Sequence, residues 1–155
     1  MVDSLTPEQR SAQMSRIRGA DTRLEVLVRK GLHARGFRYR LGGAGLRGRP
    51  DIVLPRYRTV VFVHGCFWHG HDCPLYRLPK TRPEFWADKI GKNRARDARV
   101  ICELETLGWR SIIIWECSLR GAKVSEQKQV LDALAASIRD QELENRHTRE
   151  AYGSE

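Results

Sequence analysis

The chain has 155 residues, of which 41% are hydrophobic and 30% are charged, which is ordinary for one globular domain with a core of its own. No stretch comes near the ~20 apolar residues of a membrane-spanning helix, and the first residues lack the basic and apolar regions of an export signal. These features exclude a membrane protein and predict a cytoplasmic one. For its four cysteines a metal site is therefore favoured over disulfide bonds.

The net charge of +9 is distributed unevenly along the chain. Residues 10–58 carry 13 Lys and Arg against three acids, whereas residues 103–155 carry 7 against 10. A basic half is typical of a protein that binds a polyanion. Nucleic acid is the natural partner, because each phosphate contact releases condensed counterions. The alternative is a solvated basic surface without a partner.

Two helices are predicted at the start of the chain. Residues 6–9 read Thr-Pro-Glu-Gln, a capping box with a proline in the first turn, and predict a helix that ends near Arg18. The same signature at residues 22–25 predicts a second helix that ends near Arg35. A basic, glycine-rich loop over residues 42–50 then follows, and it could track a phosphate backbone.

Four short segments have the composition of strands. Residues 37–41 alternate as a half-buried strand, and residues 51–54 and 59–63 flank a turn and predict an antiparallel hairpin. Residues 110–117 predict a buried strand. The long helical connection before it favours parallel pairing with residues 59–63. The sequence therefore predicts an α/β protein with a mixed sheet.

Further helices are predicted around these strands. A short helix begins at Arg82, and a longer one covers about Lys92 to Leu107. Residues 124–138 predict a last amphipathic helix. Beyond Gln141 the apolar period is lost, which predicts a frayed tail.

Histidines and cysteines are concentrated directly after the second strand of the hairpin. Imidazole and thiolate are the preferred ligands of a structural zinc ion, which takes four of them. Parallel pairing would bring a cysteine from the end of the last strand to the three ligands of this segment. The expected ligands are Cys66, His71, Cys73 and Cys117. His64 and His69 remain alternatives as ligands, and Cys102 is expected to be a small buried thiol in a helix.

Asp51 is an isolated carboxylate at the end of the basic loop. A hard cation such as Mg²⁺ takes oxygen ligands and commonly combines one or two carboxylates with substrate phosphates. The predicted hairpin brings Val63 across from Asp51, so the backbone carbonyl of Val63 could complete such a site. The alternative is that Asp51 pairs with a neighbouring arginine or accepts a hydrogen bond in a turn.

Two motifs resemble one family of enzymes. Gly48-Arg49-Pro50-Asp51 and the segment Val63-His64-Gly65-Cys66-Phe67-Trp68-His69-Gly70-His71 are similar to those of the very short patch repair endonucleases, bacterial enzymes that nick mismatched DNA. The resemblance implies a restriction-endonuclease-like fold, with a central mixed sheet flanked by helices and a structural zinc. It also implies Mg²⁺-dependent hydrolysis on the 5′ side of the thymine of a T·G mismatch, which arises when 5-methylcytosine deaminates.

The resemblance also implies roles for single residues. Asp51 and the Val63 carbonyl would bind Mg²⁺, and His64 and His69 would be the acid–base pair. Glu25 would hold a metal-bound water, although its capping-box position gives it a structural alternative. Three aromatic side chains would intercalate at the mismatch, two polar ones would touch base edges, and two apolar ones would press on the opposite groove. In that order they are Phe67, Trp68 and Trp86, then Lys89 and Asn93, then Met14 and Ile17.

These roles divide the chain into a DNA-contacting helix over residues 1–20, an endonuclease domain over 21–140 and a flexible tail over 141–155. The expected partners are double-stranded DNA with a T·G mismatch and mismatch-repair proteins, and we expect a monomer associated with the bacterial nucleoid. Two rival hypotheses remain. One is a zinc-stapled DNA-binding module without catalysis. The other is a zinc hydrolase of a small molecule, with His64, His69 and His71 as ligands.

Overall fold

The computed structural model describes residues 6–16 and 21–152, and they form a mixed α/β structure. In chain order the helices and strands are α1 (Pro7–Ser15), α2 (Arg23–Ala34), β1 (Ile52–Leu54), β2 (Thr59–His64), α3 (Pro83–Thr106), β3 (Arg110–Trp115) and α4 (Val124–Tyr152). Across the described part of the chain, none of the helices combines the length and apolar character needed to span a bilayer.

The three strands form one sheet in the order β1-β2-β3. β1 pairs antiparallel with β2, with Ile52 opposite Val61, and β2 pairs parallel with β3 from Thr59 opposite Arg110 to His64 opposite Trp115. The predicted hairpin and the predicted parallel pairing are both confirmed. Because β2 and β3 run in the same direction, the segments that follow them leave the sheet at the same edge.

Helices cover both faces of the sheet. Side chains of α2 and α4, such as Leu32 and Ile138, share one buried cluster with Ile52 and Val61. On the opposite face, Leu104 of α3 is buried with the alternate strand residues Val53, Val60 and Phe62. The two clusters follow the period of two that a strand imposes on its side chains. This packing fixes α3 across the edge of the sheet where the site lies.

The predicted strand over residues 37–41 is wrong. Only Arg40 pairs with the sheet, through two backbone hydrogen bonds with Val53 of 2.8 and 2.9 Å. Positive φ angles of 68° and 75° at Gly42 and Gly43 turn the chain away directly after this bridge. Phe37 is nevertheless buried in the core, whereas Leu41 is 46% exposed, so the predicted alternation holds at the start of the segment and fails at its end.

α3 is one continuous helix where two were predicted. It begins at Pro83 and ends before Gly108, and Gly91 in its middle does not interrupt it. A single glycine costs a helix only about 1 kcal/mol, which packing against the sheet offsets. Cys102 was expected to be buried in this helix, but its thiol is exposed because it lies on the side of α3 that faces away from the sheet.

α4 extends to Tyr152, so the helix end predicted near residue 138 is wrong. Polar contacts replace the apolar stripe in its second half: Glu142 accepts a hydrogen bond of 3.2 Å from Arg56, and Asn145 donates one of 3.5 Å to the Tyr57 carbonyl. Apolar periodicity does not register such contacts. The division of the chain into domains and a flexible tail stays a prediction.

Candidate active site and metal centre

A cavity of about 830 Å³ opens at the edge of the sheet where β2 ends. Its walls come from the start of α2, the loop before β1, the end of β2 and the middle of α3. The predicted site residues in these walls are Glu25, Asp51, Val63, His64, Trp68 and His69, and they are joined by Asp97 and Glu116. Five segments of the chain therefore meet at one concave surface, since Glu116 comes from the turn after β3.

Asp51 lies against the backbone of β2. Its Oδ2 accepts a hydrogen bond of 2.7 Å from the Val63 N–H. The N–H and C=O of one strand residue point to the same neighbouring strand, so the Val63 carbonyl also faces the Asp51 side. The register of the hairpin, continued by two residues, brings Pro50 opposite Val63, and proline has no N–H to donate to that carbonyl. The two oxygens expected to bind a cation thus lie on the same side of β2.

The electrostatic surroundings of Asp51 favour a cation. Burial raises the pKa of this carboxyl to about 6, the Val63 N–H acts in the opposite direction, and the nearby Glu25 carboxyl adds to the rise. Charges on His69 and Arg29 also lower this pKa, but burial outweighs them, so the protein compensates the ionised carboxylate only in part. Pairing of Asp51 with Arg47 is not observed, because Arg47 instead lies 2.9 Å from Glu103.

Glu25 makes the hydrogen bonds of a capping box, which is the structural role considered as the alternative to metal binding. Its two carboxylate oxygens accept hydrogen bonds from the Asp21 N–H at 2.8 Å and from the Thr22 hydroxyl at 3.0 Å. The Thr22 oxygen accepts in turn from the Glu25 N–H at 3.3 Å. Glu25 thus caps α2 and lines the cavity at the same time, and its role as holder of a metal-bound water stays a prediction.

The imidazoles of His64 and His69 are stacked face to face. Their ring centroids are 3.7 Å apart and their planes differ by 5°. Burial, reinforced by the nearby His69 ring, lowers the pKa of His64 to about 4, so His64 is neutral at neutral pH. Its Nδ1 is buried and has no hydrogen-bond partner within residues 6–16 and 21–152. The pair therefore consists of a neutral His64 ring, whose Nδ1 has no partner among the described residues, and the ring of His69, which other contacts hold.

Asp97 of α3 is a site residue that sequence reasoning missed. Its Oδ2 lies 2.5 Å from Nδ1 of His69, which fixes the imidazole plane and leaves Nε2 as the nitrogen free to exchange a proton. The sequence carried one signal for it. Asp97 lies seven residues after Ile90 and seven before Leu104, and both of these are buried, so an acid occupies the side of α3 that faces the sheet.

Four nitrogen and sulfur ligands converge beside the cavity. They are the predicted set Cys66, His71, Cys73 and Cys117, and their ligand atoms all lie within 4.8 Å of one another. His71 Nδ1 is 3.5 Å from the sulfurs of both Cys66 and Cys117. Tetrahedral zinc with ordinary Zn–S and Zn–N bonds would separate sulfur from nitrogen by about 3.5–3.6 Å. The group therefore fits a zinc ion.

The two histidines that remained alternatives as ligands belong to a different group. His64 and His69 lie with Asp97, whereas His71 lies with the three sulfurs. The His71 ring is also held by Trp115, because the two rings stack face to face with centroids 4.1 Å apart and planes that differ by 7°. The geometry thus separates a sulfur-rich centre from the histidine pair.

The predicted intercalating residues form one aromatic cluster. Phe67, Trp68 and Trp86 contact one another edge to face, with centroid distances of 5.2, 5.5 and 6.0 Å. The ammonium of Lys89 lies 5.6 Å from the ring centroids of both tryptophans. The amide of Asn93 donates a 2.9 Å hydrogen bond to the Trp68 carbonyl, which supports the cluster, and its contact with base edges stays a prediction.

The last two predicted DNA contacts cannot be placed. Met14 lies in α1, but its side chain is outside the described residues, as is the whole of Ile17. Of the aromatic cluster, Trp68 also lines the cavity, in a protein whose net charge is +9.

Comparison with known proteins identifies the family. Residues 2–75 match the family model for DNA mismatch endonuclease Vsr. The type II nicking enzyme V.XorIIP of Xanthomonas oryzae is 47% identical to the chain over 134 residues, which cover 85% of this chain and 98% of that enzyme. The chain belongs to the Vsr family. The DNA mismatch endonuclease Vsr of Escherichia coli is 49% identical over 121 residues, 78% of each chain. The type II nicking enzyme V.NmeAIP of Neisseria meningitidis is 44% identical over 140 residues, 90% of this chain and 99% of that enzyme.

Proposed function

We propose that this Vsr-family protein is an Mg²⁺-dependent endonuclease that nicks one strand of DNA on the 5′ side of the thymine of a T·G mismatch. Membership of the family and the similarity to named nicking enzymes support a DNA mismatch nicking endonuclease. The observation that carries the chemistry is the meeting of Asp51 with the stacked pair of His64 and His69 in one cavity.

Asp51 and the Val63 carbonyl would hold the magnesium ion. Hard oxygen donors suit it, and the raised pKa of Asp51 reflects a carboxylate whose burial outweighs the nearby positive charge. When bound, the ion supplies positive charge that stabilises the developing charge on the scissile phosphate. Glu25 borders the same cavity and would hold a water of the ion.

The histidine pair would move the protons of hydrolysis. An attacking water must lose a proton and the leaving oxygen must gain one, and imidazoles serve both needs near neutral pH. The contact with Asp97 would keep one proton on Nδ1 of His69, so that Nε2 would be the nitrogen that exchanges a proton in the reaction. His64 stays neutral and is therefore able to accept a proton.

Zinc at the four-ligand group would be structural, because four protein ligands leave no open position for water. The ligands come from the loop after β2 and from the turn after β3, so the ion would tie these two segments together. His69 lies two residues before His71 in that loop. The zinc would therefore hold the backbone that carries one of the two catalytic imidazoles.

The aromatic cluster of Phe67, Trp68 and Trp86 would supply the selectivity for a mismatch. A T·G wobble pair stacks less well than a matched pair, so the free energy needed to open the stack beside it is smaller. Lys89 and the basic half of the chain would bind the backbone phosphates. Mismatch-repair proteins remain the expected partners, and a monomer the expected state.

A cleavage assay on a panel of duplexes tests the proposal. Each duplex carries one T·G pair or the matched T·A or C·G pair, with both strands labelled, and is incubated with Mg²⁺ or with a chelator. We expect a single nick, 5′ to the mismatched thymine, that requires Mg²⁺. Asp51→Ala should abolish it, whereas Asp140→Ala, an exposed carboxylate of α4, should not.

The outcomes separate the rival functions. Equal cutting of matched and mismatched duplexes would contradict mismatch selectivity. Binding without cleavage of any duplex by the wild type would favour the zinc-stapled DNA-binding module. Cleavage that continues unchanged in Asp51→Ala would remove Asp51 from the mechanism, and activity that depends on zinc and ignores Mg²⁺ would favour the zinc hydrolase.

A further inference from the structure

One peptide group lies between the two catalytic histidines and is held on both sides. The carbonyl of Gly65 accepts a hydrogen bond of 3.2 Å from the His69 N–H. The N–H of the same peptide unit, that of Cys66, donates at 3.1 Å to Oε2 of Glu116. His64 directly precedes this peptide in the chain. The backbones of both stacked histidines are thus linked to the Gly65–Cys66 peptide, that of His64 through the chain and that of His69 by a hydrogen bond.

Glu116 is itself firmly placed. It follows β3 and directly precedes Cys117 of the four-ligand group. Its Oε1 lies 2.8 Å from a guanidinium nitrogen of Arg120, and the carboxylate side chain is only 19% exposed. A charged acceptor makes a stronger hydrogen bond to an N–H than a neutral one. Glu116 therefore holds the Cys66 N–H from the turn that follows the neighbouring strand.

We propose that Glu116 is a positioning residue that sets the His69 imidazole against His64 by holding the Gly65–Cys66 peptide. The inference rests on the proposed catalytic roles of the two histidines. Cys66 is completely buried, so without Glu116 its N–H would have to turn towards another acceptor, and the peptide would rotate with it. That rotation moves the Gly65 carbonyl, the His69 backbone bonded to it, and finally the imidazole.

Three substitutions at Glu116 separate the effect of the position of the acceptor oxygen from the effect of its charge. Glu116→Gln removes the charge and keeps an oxygen at the same distance. Glu116→Asp keeps the charge and withdraws the oxygen by one methylene. Glu116→Ala removes both. Arg120→Ala is the matched control, because it removes the ion pair and leaves the hydrogen bond to Cys66.

The assay is single-turnover cleavage of a T·G duplex with Mg²⁺, beside duplex affinity and the metal content of each protein. We expect Glu116→Ala to lower the single-turnover cleavage rate about 10–100-fold, as changes in groups that orient catalytic side chains do. Glu116→Asp should lose roughly 10-fold, while Glu116→Gln and Arg120→Ala should stay within about 3-fold of wild type. Duplex affinity and bound zinc should be unchanged throughout. His69→Ala is the reference for loss of the imidazole.

The results distinguish this inference from the function on which it depends. If His69→Ala is inactive and both Glu116→Ala and Glu116→Asp cleave at the wild-type rate, the positioning role is wrong and the proposed function stands. Cleavage by His69→Ala at the wild-type rate would overturn the proposed function itself. An active Glu116→Asp with an inactive Glu116→Gln would show that charge matters and position does not, which also overturns the inference. Loss of zinc from the Glu116 variants would make the role structural. If Glu116→Ala fails to fold, the comparison of Glu116→Gln with Glu116→Asp still tests the positioning role.

Discussion

Replacing Asp51 by asparagine should abolish cleavage and, without Mg²⁺, make the folded protein more stable. Burial raises the pKa of this carboxyl from an ordinary 3.8 to about 6, so its ionised form is unfavourable in the fold at neutral pH. Asparagine keeps an oxygen that can accept the Val63 N–H, now 2.7 Å from Asp51 Oδ2. The substitution thus removes a buried charge that the protein compensates only in part and retains the hydrogen bond.

The rise of the pKa sets the size of this effect. A pKa that moves from 3.8 to about 6 on folding corresponds to up to about 3 kcal/mol of lost stability for the ionised carboxylate. Because the side chain is partly exposed and solvent screens its charge, we expect about half of this, ~1–2 kcal/mol. For a chain of this length the melting temperature of Asp51→Asn should be roughly 3–6 °C above that of wild type.

The direction of the pKa shift also fixes the pH dependence. Asp51 binds its proton more tightly in the folded than in the unfolded chain. The advantage of Asp51→Asn is therefore full above about pH 6, shrinks as the pH falls from about 6 towards 3.8, and is absent below. Mg²⁺ should reverse the ranking, because only the wild type keeps the carboxylate that binds it. For the same reason wild-type cleavage should decline as the pH falls through about 6.

Thermal and urea unfolding of both proteins, at about pH 7.5 and about pH 5 with and without Mg²⁺, measure these differences. Asp140→Ala again serves as the control for removal of an exposed carboxylate. A lower stability of Asp51→Asn than of wild type at the higher pH, without Mg²⁺, would refute the reasoning from burial. Equal stabilisation of both proteins by Mg²⁺ would show that Asp51 does not bind the ion.

Three further predictions concern the metal centre, the histidine pair and the basic loop. Cys73→Ser should lose bound metal and stability, whereas His69→Ala should keep the metal and lose cleavage. Metal analysis beside the nicking assay checks this, and metal loss from His69→Ala would reverse the assignment. Asp97→Asn should lower kcat about 10–100-fold at unchanged duplex affinity in single-turnover kinetics, and an unchanged rate would show that its contact with Nδ1 is not needed. Gly48→Ala should destabilise the fold by about 2–4 kcal/mol in urea unfolding, against about 1–2 kcal/mol for Gly42→Ala. Both glycines have positive φ, but only at Gly48 would an added β-carbon clash with α3, because it would lie 2.2 Å from a methyl carbon of Val100. Equal effects of the two substitutions would exclude this close approach as the cause.

Burial shifts the pKa values of Asp51 and His64 in opposite directions. Burial raises the pKa of the acid and lowers that of the imidazole, so the first destabilises the fold when ionised and the second when protonated. Stability linked to His64 is lost as the pH falls through the ordinary value of 6.5 towards about 4. Strongly shifted groups of this kind cluster at functional sites, which agrees with the cavity they share.

Much of the local structure could be predicted because its signals act over a few residues. The capping box at Thr22 is present, with the Thr22 oxygen accepting from the Glu25 N–H at 3.3 Å. The hairpin of β1 and β2 and the parallel pairing of β2 with β3 followed from strand composition and from the length of the connection. The predictions that failed were those in which distant contacts decide. Residues 37–41 form only a bridge, and α4 continues on polar contacts after its apolar period ends.

The sequence by itself was enough to propose which residues carry the chemistry. Asp51 after its proline, the two histidines and the closely spaced metal ligands are recognisable because acid–base and metal chemistry require particular side chains at short spacing. Only the tertiary structure decided how they are held. Asp97 and Glu116 reach the site from α3 and from the end of β3. The pKa shifts of Asp51 and His64 arise from burial that many segments create together. Partners that are distant in the chain, and the desolvation they impose, depend on packing, and no local pattern encodes either of them.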